Sequence, residues 1–395
     1  MDQKKLDQFA EWCRQGGVEF SAVEPVYYGP DRGCGLRAKR SIRWNEKFLK
    51  VPKSKIITAG LVADIPKYTN ILKQHRLEPF PILVLFFYTE SQDPESEFSP
   101  YLRILPKEFT TPLANDVQRS DQIPVEHLPN RVRDFLDKQR KEFEQIREEI
   151  SKVLDPIKPD LELLNWAWHV VNTRCIFVEN EEHPLVYSEE SGDSIAVIPM
   201  VDLMNHSPNA QAVAYYDKIT KSYLLSAEYS CVSEDAELFV CYGPHDNPRL
   251  WIEYGFCLPG NIFNRVDLPT SVFLAIAKKL CGNLDSGKRE QLIKEAAFPC
   301  TIYASDISPP HGLKKNCQIL IMNNKELSQA KKIIYNDNED LEENDEVMDL
   351  TYKVLNELSH LLRRRADACP SGYRHFWTEQ IEILDALICL KDSDE

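Results

Sequence analysis

The sequence predicts an α+β protein in which small β-sheets are split by a helical insertion and followed by an all-helical C-terminal domain. Short extended segments, such as 23–28 and 48–51, are joined by turns that contain Gly or Pro. A charge-rich stretch at 131–154 carries apolar residues at helical spacing, and extended segments resume at 196. Beyond residue 261 the apolar pattern is helical to the end.

These changes of pattern predict four parts of the chain. Residues 1–80 would form an N-terminal helix and the first β-rich part, and residues 81–165 the helical insertion. Residues 166–262 would form the second β-rich part, and residues 263–395 the helical domain. The 395 residues, 43% hydrophobic and 28% charged, are enough to give such parts substantial cores.

The net charge of -15 bears on possible partners. Such an acidic balance argues against direct binding of a nucleic-acid backbone. It suits attraction to a basic protein, such as a histone tail, but simple solubility is the commoner reason for such a charge. Charge therefore excludes one class of partner and selects none.

The eleven cysteines are scattered without a C-x-x-C pair or the spacing of a zinc site, so we expect free thiols and no metal. Free thiols suit a reducing compartment. The first residues carry no apolar signal-peptide core, and no run of about 18 apolar residues occurs. These features predict a monomeric protein of the cytoplasm or nucleus, with no membrane association.

Polar residues occur at four places where the surrounding pattern is apolar. Asn205-His206 follows an apolar strand and is either a closed turn or a pair that contacts a polar ligand. Arg174 ends a largely apolar segment, where its charge needs a structural ion pair or an anionic ligand. Tyr242-Gly and Tyr254-Gly are either core tyrosines before turns or part of a site. Gly33-Cys34-Gly35, taken by itself, predicts only a tight turn.

The order of these motifs resembles that of SET-domain methyltransferases, in the branch typified by the Rubisco large-subunit lysine methyltransferase. The resemblance covers roughly residues 5–262. The C-terminal part is similar only loosely to the helical substrate-binding domain of that branch. The motifs, in order, are Gly33-Cys34-Gly35, Pro100-Tyr-Leu-Arg-Ile-Leu-Pro106, Asn172-Thr-Arg174, Asp202-Leu-Met-Asn-His-Ser207 and Tyr242-Gly with Tyr254-Gly-Phe256.

The resemblance implies a SET fold with a knot-like crossing of the Asn-His and tyrosine segments. It also implies transfer of a methyl group from S-adenosylmethionine (AdoMet) to a lysine of a protein substrate. Tyr242 and Tyr254 would be the catalytic residues, and the backbone carbonyls of Arg174 and Asp202 would line the lysine pore. The residues implied to contact AdoMet are Gly33, Cys34, Gly35, Arg174, Asn205, His206 and Phe256.

The chain departs from the branch at Arg32, where an acidic residue often precedes the first glycine. Some members of the branch methylate histidine, but Ile176 offers no polar group to an imidazole, which favours lysine as the acceptor. The sequence is also compatible with a SET-fold adaptor that lacks catalysis, and with an unrelated helical scaffold.

Overall fold

The computed structural model describes residues 2–118, 123–178, 182–188, 195–282, 286–335, 341 and 344–393. Within these ranges the helices are α1 Gln3–Gln15, α2 Ala59–Asp64, α3 Pro66–Leu72, α4 Pro79–Glu90, α5 Ser99–Leu102, α6 Pro112–Gln118, α7 Asn130–Leu154, α8 Leu161–Arg174, α9 Asn247–Tyr254, α10 Thr270–Cys281, α11 Ser286–Ala296, α12 His311–Ile321, α13 Asn324–Ser328, α14 Ala330–Ile334, α15 Asp345–Ala368 and α16 His375–Ser393. The strands are β1 Val23–Tyr27, β2 Cys34–Ala38, β3 Lys47–Pro52, β4 Ile57–Thr58, β5 Cys175–Phe177, β6 Ile195–Val197, β7 Asn205–His206, β8 Ala212–Asp217, β9 Ser222–Ala227, β10 Glu237–Val240, β11 Arg265–Asp267 and β12 Thr301–Tyr303.

The chain folds into two compact units, each with its own hydrophobic core. The first unit comprises Met1–Ile123, Asp134–Pro244 and Arg249–Phe256. The second comprises Pro124–Arg133, His245–Pro248 and Cys257–Glu395. The four-part division of the sequence is finer than this and stays a prediction.

Among the described residues of the first unit, three small sheets form the β part, with strand orders β1-β2-β10-β7, β3-β9-β8 and β4-β6-β5. Most neighbouring strands are antiparallel, but β7 and β10 are parallel, with Asn205 opposite Phe239 and His206 opposite Val240. The Asn-His segment and the strand that leads to Tyr242 therefore lie side by side. The predicted α+β class with small sheets is confirmed.

Helices α4 and α8 pack together in the core of the first unit. Nearly every residue of α4 is buried, as expected for a helix that is apolar on all faces. Helix α8 is capped by Asp160, whose carboxylate accepts a hydrogen bond from the Leu163 amide at 2.9 Å, and the helix buries Trp168. It ends at Arg174, so this core fixes the position of a predicted site residue.

The second unit is mainly helical, with α15 packed against α16. It differs from the predicted all-helical domain in one detail, because β11 and β12 form an antiparallel pair in which Val266 lies opposite Ile302. Each of these strands has three residues, which is too short to show the two-residue periodicity of a strand. Among the described helices, none has the length and apolarity needed to cross a bilayer.

His169, on α8, is a fully buried neutral histidine. Its Nε2 lies 2.6 Å from the hydroxyl of Thr111, and its Nδ1 lies 2.8 Å from the carbonyl oxygen of Asn165. Burial lowers the pKa of His169 to about 4, although the bond to Asn165 opposes the shift. The folded protein therefore binds a proton at this side chain only at low pH.

Lowering the pH from 7 to 5 should reduce the free energy of unfolding through His169. The unfolded histidine has a pKa near 6.5 and takes up a proton across this window, whereas the folded one does not. The expected loss is about 2 kcal/mol. Urea denaturation at both pH values should show a smaller loss in His169→Gln than in wild type. Equal losses in the two proteins would contradict the assignment.

Candidate active site

A cavity of about 940 Å³ opens in the first unit where α8 ends. Its wall includes Arg174 and Asp202, Tyr242 and Tyr254, and apolar residues of β5 and β8. The volume falls within the range of about 300–1,000 Å³ that is usual for small-molecule sites. Four of the residues predicted from the sequence thus share one cavity.

Arg174 and Asp202 form a buried ion pair on this wall. Nη1 of Arg174 lies 2.9 Å from Oδ2 of Asp202 and donates a second hydrogen bond, also of 2.9 Å, to the Asp202 backbone oxygen. The hydroxyl of Tyr101 donates to the same Oδ2 at 2.6 Å. The ion-pair interpretation of Arg174 therefore holds, and the guanidinium also lines the cavity, where its contact with an anionic ligand stays a prediction.

The ion pair leaves some hydrogen-bonding capacity unused. Within the described part of the chain, Nε of Arg174 and Oδ1 of Asp202 are buried without a hydrogen-bond partner. Burial raises the pKa of the Asp202 carboxyl, and the Arg174 charge and the Tyr101 hydroxyl oppose part of that shift. Unsatisfied buried polar atoms are costly in proteins, and at a cavity wall they suit a polar ligand.

Tyr242 and Tyr254 lie together, with ring centroids 4.9 Å apart. The Tyr242 hydroxyl donates to the backbone oxygen of Met204 at 2.7 Å, and its backbone amide donates to Nδ1 of His206 at 3.1 Å. Burial raises the pKa of Tyr254 to about 12 and that of Tyr242 higher still. Both side chains are therefore neutral near pH 7, where they can donate or accept hydrogen bonds.

The glycine motif lies at the start of β2, with Gly33 just before the strand, in the sheet that also holds Asn205. Gly33 has a φ of 64°, a conformation that favours glycine. A Cβ at Gly35 would lie 2.9 Å from Oε1 of Glu237 and 2.9 Å from the Tyr28 ring, so a larger residue does not fit without a shift. The backbone at Gly35 thus lies close to Glu237 and Tyr28.

Sequence reasoning missed Glu237, a buried carboxylate on β10. It accepts a hydrogen bond of 2.8 Å from Nδ2 of Asn205 and forms an ion pair with Arg32. The Arg32 guanidinium also stacks on the ring of Tyr28, 4.7 Å from its centroid. The chain thus has a carboxylate next to the glycine motif, supplied by another strand. The only signal in the sequence is that Glu237 is a charged residue at the start of an apolar strand. A charged residue in such a place needs a partner if it is buried.

Six predicted residues lie off the cavity wall: Gly33, Cys34, Gly35, Asn205, His206 and Phe256. Several of them lie close behind it. The ring centroid of Phe256 is 6.3 Å from that of His206 and 6.2 Å from that of Tyr254. Burial raises the pKa of the Cys34 thiol, and the charges of Arg174 and Asp202 also act on it. The structure thus places four predicted residues on the wall and brings Cys34, His206 and Phe256 close to them.

Among the described residues, no three His, Cys, Asp or Glu side chains are grouped to hold a metal ion.

Comparison with known proteins gives relatives along most of the chain, although no family model matches it. Human SET domain-containing protein 4 is 25% identical in an alignment that covers 96% of this chain and 89% of that protein. The ribosomal lysine N-methyltransferase set11 of Schizosaccharomyces pombe is 26% identical and covers 66% of this chain and 63% of its own length. The actin-histidine N-methyltransferase of Xenopus tropicalis is 25% identical and covers 78% of this chain and 52% of its own length.

A solved structure of Rubisco LSMT bound to AdoMet superposes with a TM-score of 0.58 at 17% identity, over 99% of this chain and 92% of that one. The chain has a SET fold of this class. The resemblance based on five ordered motifs is confirmed, and within the class the chain is similar to SET domain-containing protein 4. The roles of the individual site residues stay predictions.

Substitution of Gly35 by Ala should destabilise the SET fold. The new Cβ would approach Glu237 and Tyr28 within 2.9 Å, and overpacking of this kind costs about 1–3 kcal/mol. Gly372→Ala is the matched control, because a Cβ there meets nothing within 4 Å and should change stability by less than about 0.5 kcal/mol. Chemical denaturation measures both, and equal stabilities would show that the approach of β2 to Glu237 is loose.

Proposed function

We propose that this chain is a protein lysine methyltransferase that uses AdoMet as methyl donor. The main support is the cavity whose wall holds two neutral tyrosines together with the buried Arg174–Asp202 pair. The enzyme class and the cofactor also have support from the solved LSMT structures with AdoMet and from the named methyltransferase relatives. The choice of lysine as the acceptor residue is a more specific proposal, and it rests on the lining of the cavity.

The residues present fit AdoMet. The guanidinium of Arg174 has a buried Nε with no partner in the described residues, which suits the carboxylate of the cofactor. By resemblance, the backbone of Gly33, Cys34 and Gly35 would contact the methionine end of the cofactor. By resemblance, Asn205 and His206 would hold the amine and adenine, and Phe256 would stack on the adenine. When bound, AdoMet supplies an electrophilic methyl group on a sulfonium.

Tyr242 is placed to orient the reacting groups. Its hydroxyl hydrogen is used in the bond to Met204, so the oxygen lone pairs are left to accept weak C–H···O contacts. In-line displacement depends on alignment, and a fixed acceptor contributes to it. Because both tyrosines stay protonated near pH 7, the role of each is positioning rather than removal of the amine proton.

The cavity favours the neutral form of an amine. Lysine has a reference pKa of about 10.4, and it attacks only after losing its proton. On the described wall the one carboxylate, Asp202, is already paired with Arg174, so no free negative charge stabilises an ammonium there. Desolvation in the pore lowers the pKa of the amine further.

The acceptor side of the cavity suits a polypeptide. Phe177 and Tyr229 lie on its wall with 69% and 72% of their surfaces exposed, which gives an aromatic rim for a protein substrate. Ile176, on the same wall, supplies no hydrogen bond to an imidazole. Relatives named actin-histidine N-methyltransferases keep histidine as the second candidate acceptor. We propose a protein partner in the cytoplasm or nucleus, and a monomeric enzyme.

Tyr242→Phe should lower kcat for methyl transfer roughly tenfold to a hundredfold. The ring and its packing stay, so the affinity for AdoMet should change little, and the loss should fall on kcat more than on KM. Initial rates and calorimetric titration with AdoMet measure the two effects. Mass spectrometry of the product tests whether the variant, with its wider pore, adds further methyl groups to the same residue. A wild-type rate with a wild-type product would make Tyr242 a core tyrosine.

The methylated residue should be a lysine. Incubation of the enzyme with labelled AdoMet and a cell extract from a strain that lacks the protein should label substrates whose modified peptides contain methyllysine. Mass spectrometric mapping of those peptides gives the residue directly. Methylhistidine in their place would contradict the argument from Ile176 and leave the methyltransferase assignment intact.

A further inference from the structure

Tyr101 lies behind the cavity wall, on the short helix α5, within the Pro100–Pro106 motif. Its side chain is fully buried. Rings on three sides hold it: the centroid of Phe9 is 5.9 Å away, and those of Trp12 and Phe87 are each 6.4 Å away. Such packing leaves the ring one orientation, with its hydroxyl on Asp202.

We infer that Tyr101 is a positioning residue that acts through Asp202 on Arg174, and this inference rests on the proposed function. The hydroxyl of Tyr101 occupies one position on Oδ2 of Asp202, and Nη1 of Arg174 occupies another. With both bonds made, the carboxylate has one orientation. Arg174 is then fixed at the wall with its Nε directed to no other described group.

The backbone strengthens this arrangement. Arg174 also donates to the backbone oxygen of Asp202, so the guanidinium follows the main chain as well as the carboxylate. Asp202 lies in the 3₁₀ turn Val201–Leu203, which leads directly to Met204, the acceptor of the Tyr242 hydroxyl. A shift of Asp202 would therefore reach both the predicted cofactor contact and the pore tyrosine.

Burial makes the Tyr101 bond important. A buried ion pair is stable only where further hydrogen bonds satisfy its remaining atoms. Burial raises the pKa of Tyr101 well above its usual value, so this side chain is a permanent donor to Asp202. Without the hydroxyl, the carboxylate would keep a single side-chain partner and could rotate. Arg174 would then lose its defined orientation towards an anionic ligand.

Tyr101→Phe tests the inference, with Tyr68→Phe as the matched control. Tyr68 is equally buried in the same unit, and its hydroxyl donates to the buried carboxylate of Glu90 at 2.8 Å, away from the cavity wall. Both variants should have a lower Tm than the wild type. Only Tyr101→Phe should raise the calorimetric Kd for AdoMet, by roughly threefold to thirtyfold, because it loosens a charged hydrogen-bond network. Tyr68→Phe should stay within about twofold of wild type.

A double-mutant cycle separates positioning from general destabilisation. In an Arg174→Lys background, Tyr101→Phe should change the Kd for AdoMet by less than about twofold, since the group it positions is gone. If Tyr101→Phe does not fold, Asp202→Asn replaces it, and it should raise the Kd in wild type and not in Arg174→Lys.

Three outcomes would overturn the inference. Equal AdoMet affinities of Tyr101→Phe and Tyr68→Phe would make Tyr101 a structural residue only. Full additivity with Arg174→Lys would show that Tyr101 does not act through Arg174. Wild-type protein that binds no AdoMet would overturn the proposed function together with this inference, whereas wild-type binding with either of the first two results would overturn the inference alone.

Discussion

The buried ion pair between Arg174 and Asp202 is the interaction on which the site depends. Removing two charges from water is costly, and their attraction offsets this only where further hydrogen bonds are present. Here Tyr101 and the backbone of Asp202 provide them. Breaking such a pair from one side typically costs about 3–5 kcal/mol, because the other charge is left buried. The pair is therefore a structural requirement as well as part of the cavity wall.

The elements on either side of this pair in the sequence hold it in place. Helix α8 packs against the largely apolar helix α4 and ends at Arg174. The strand pair β7–β10 lies on the other side of the Val201–Leu203 turn and fixes His206 beside Tyr242. A rigid frame of this kind suits a reaction whose rate depends on alignment more than on acid–base chemistry. The neutral tyrosines agree with that requirement.

The sequence predicted much of this arrangement and could not predict its pairings. Polar residues at the ends of apolar segments, such as Arg174 and Asn205, indicated a site, and the order of five motifs indicated the SET fold. The partners were not predictable, because Tyr101 and Asp202 are 101 residues apart and Asn205 and Glu237 are 32 apart. Periodicity reports which face of an element is buried, and it carries no information on which distant side chains meet. The three-residue strands of the second unit were not predicted for a related reason, because they are too short to show the alternating pattern of a strand.

Transfer of label from AdoMet to protein tests the central claim most directly. Tritium from methyl-labelled AdoMet should appear in a few proteins of an extract from cells that lack this chain, when the wild-type protein is added. An Arg174→Met variant, confirmed to be folded, should give little or no label, because the proposed carboxylate contact and the partner of Asp202 are both lost. Binding of AdoMet by the wild type with no labelled protein would contradict the account and favour an adaptor. Equal labelling by the variant would contradict the role of the ion pair.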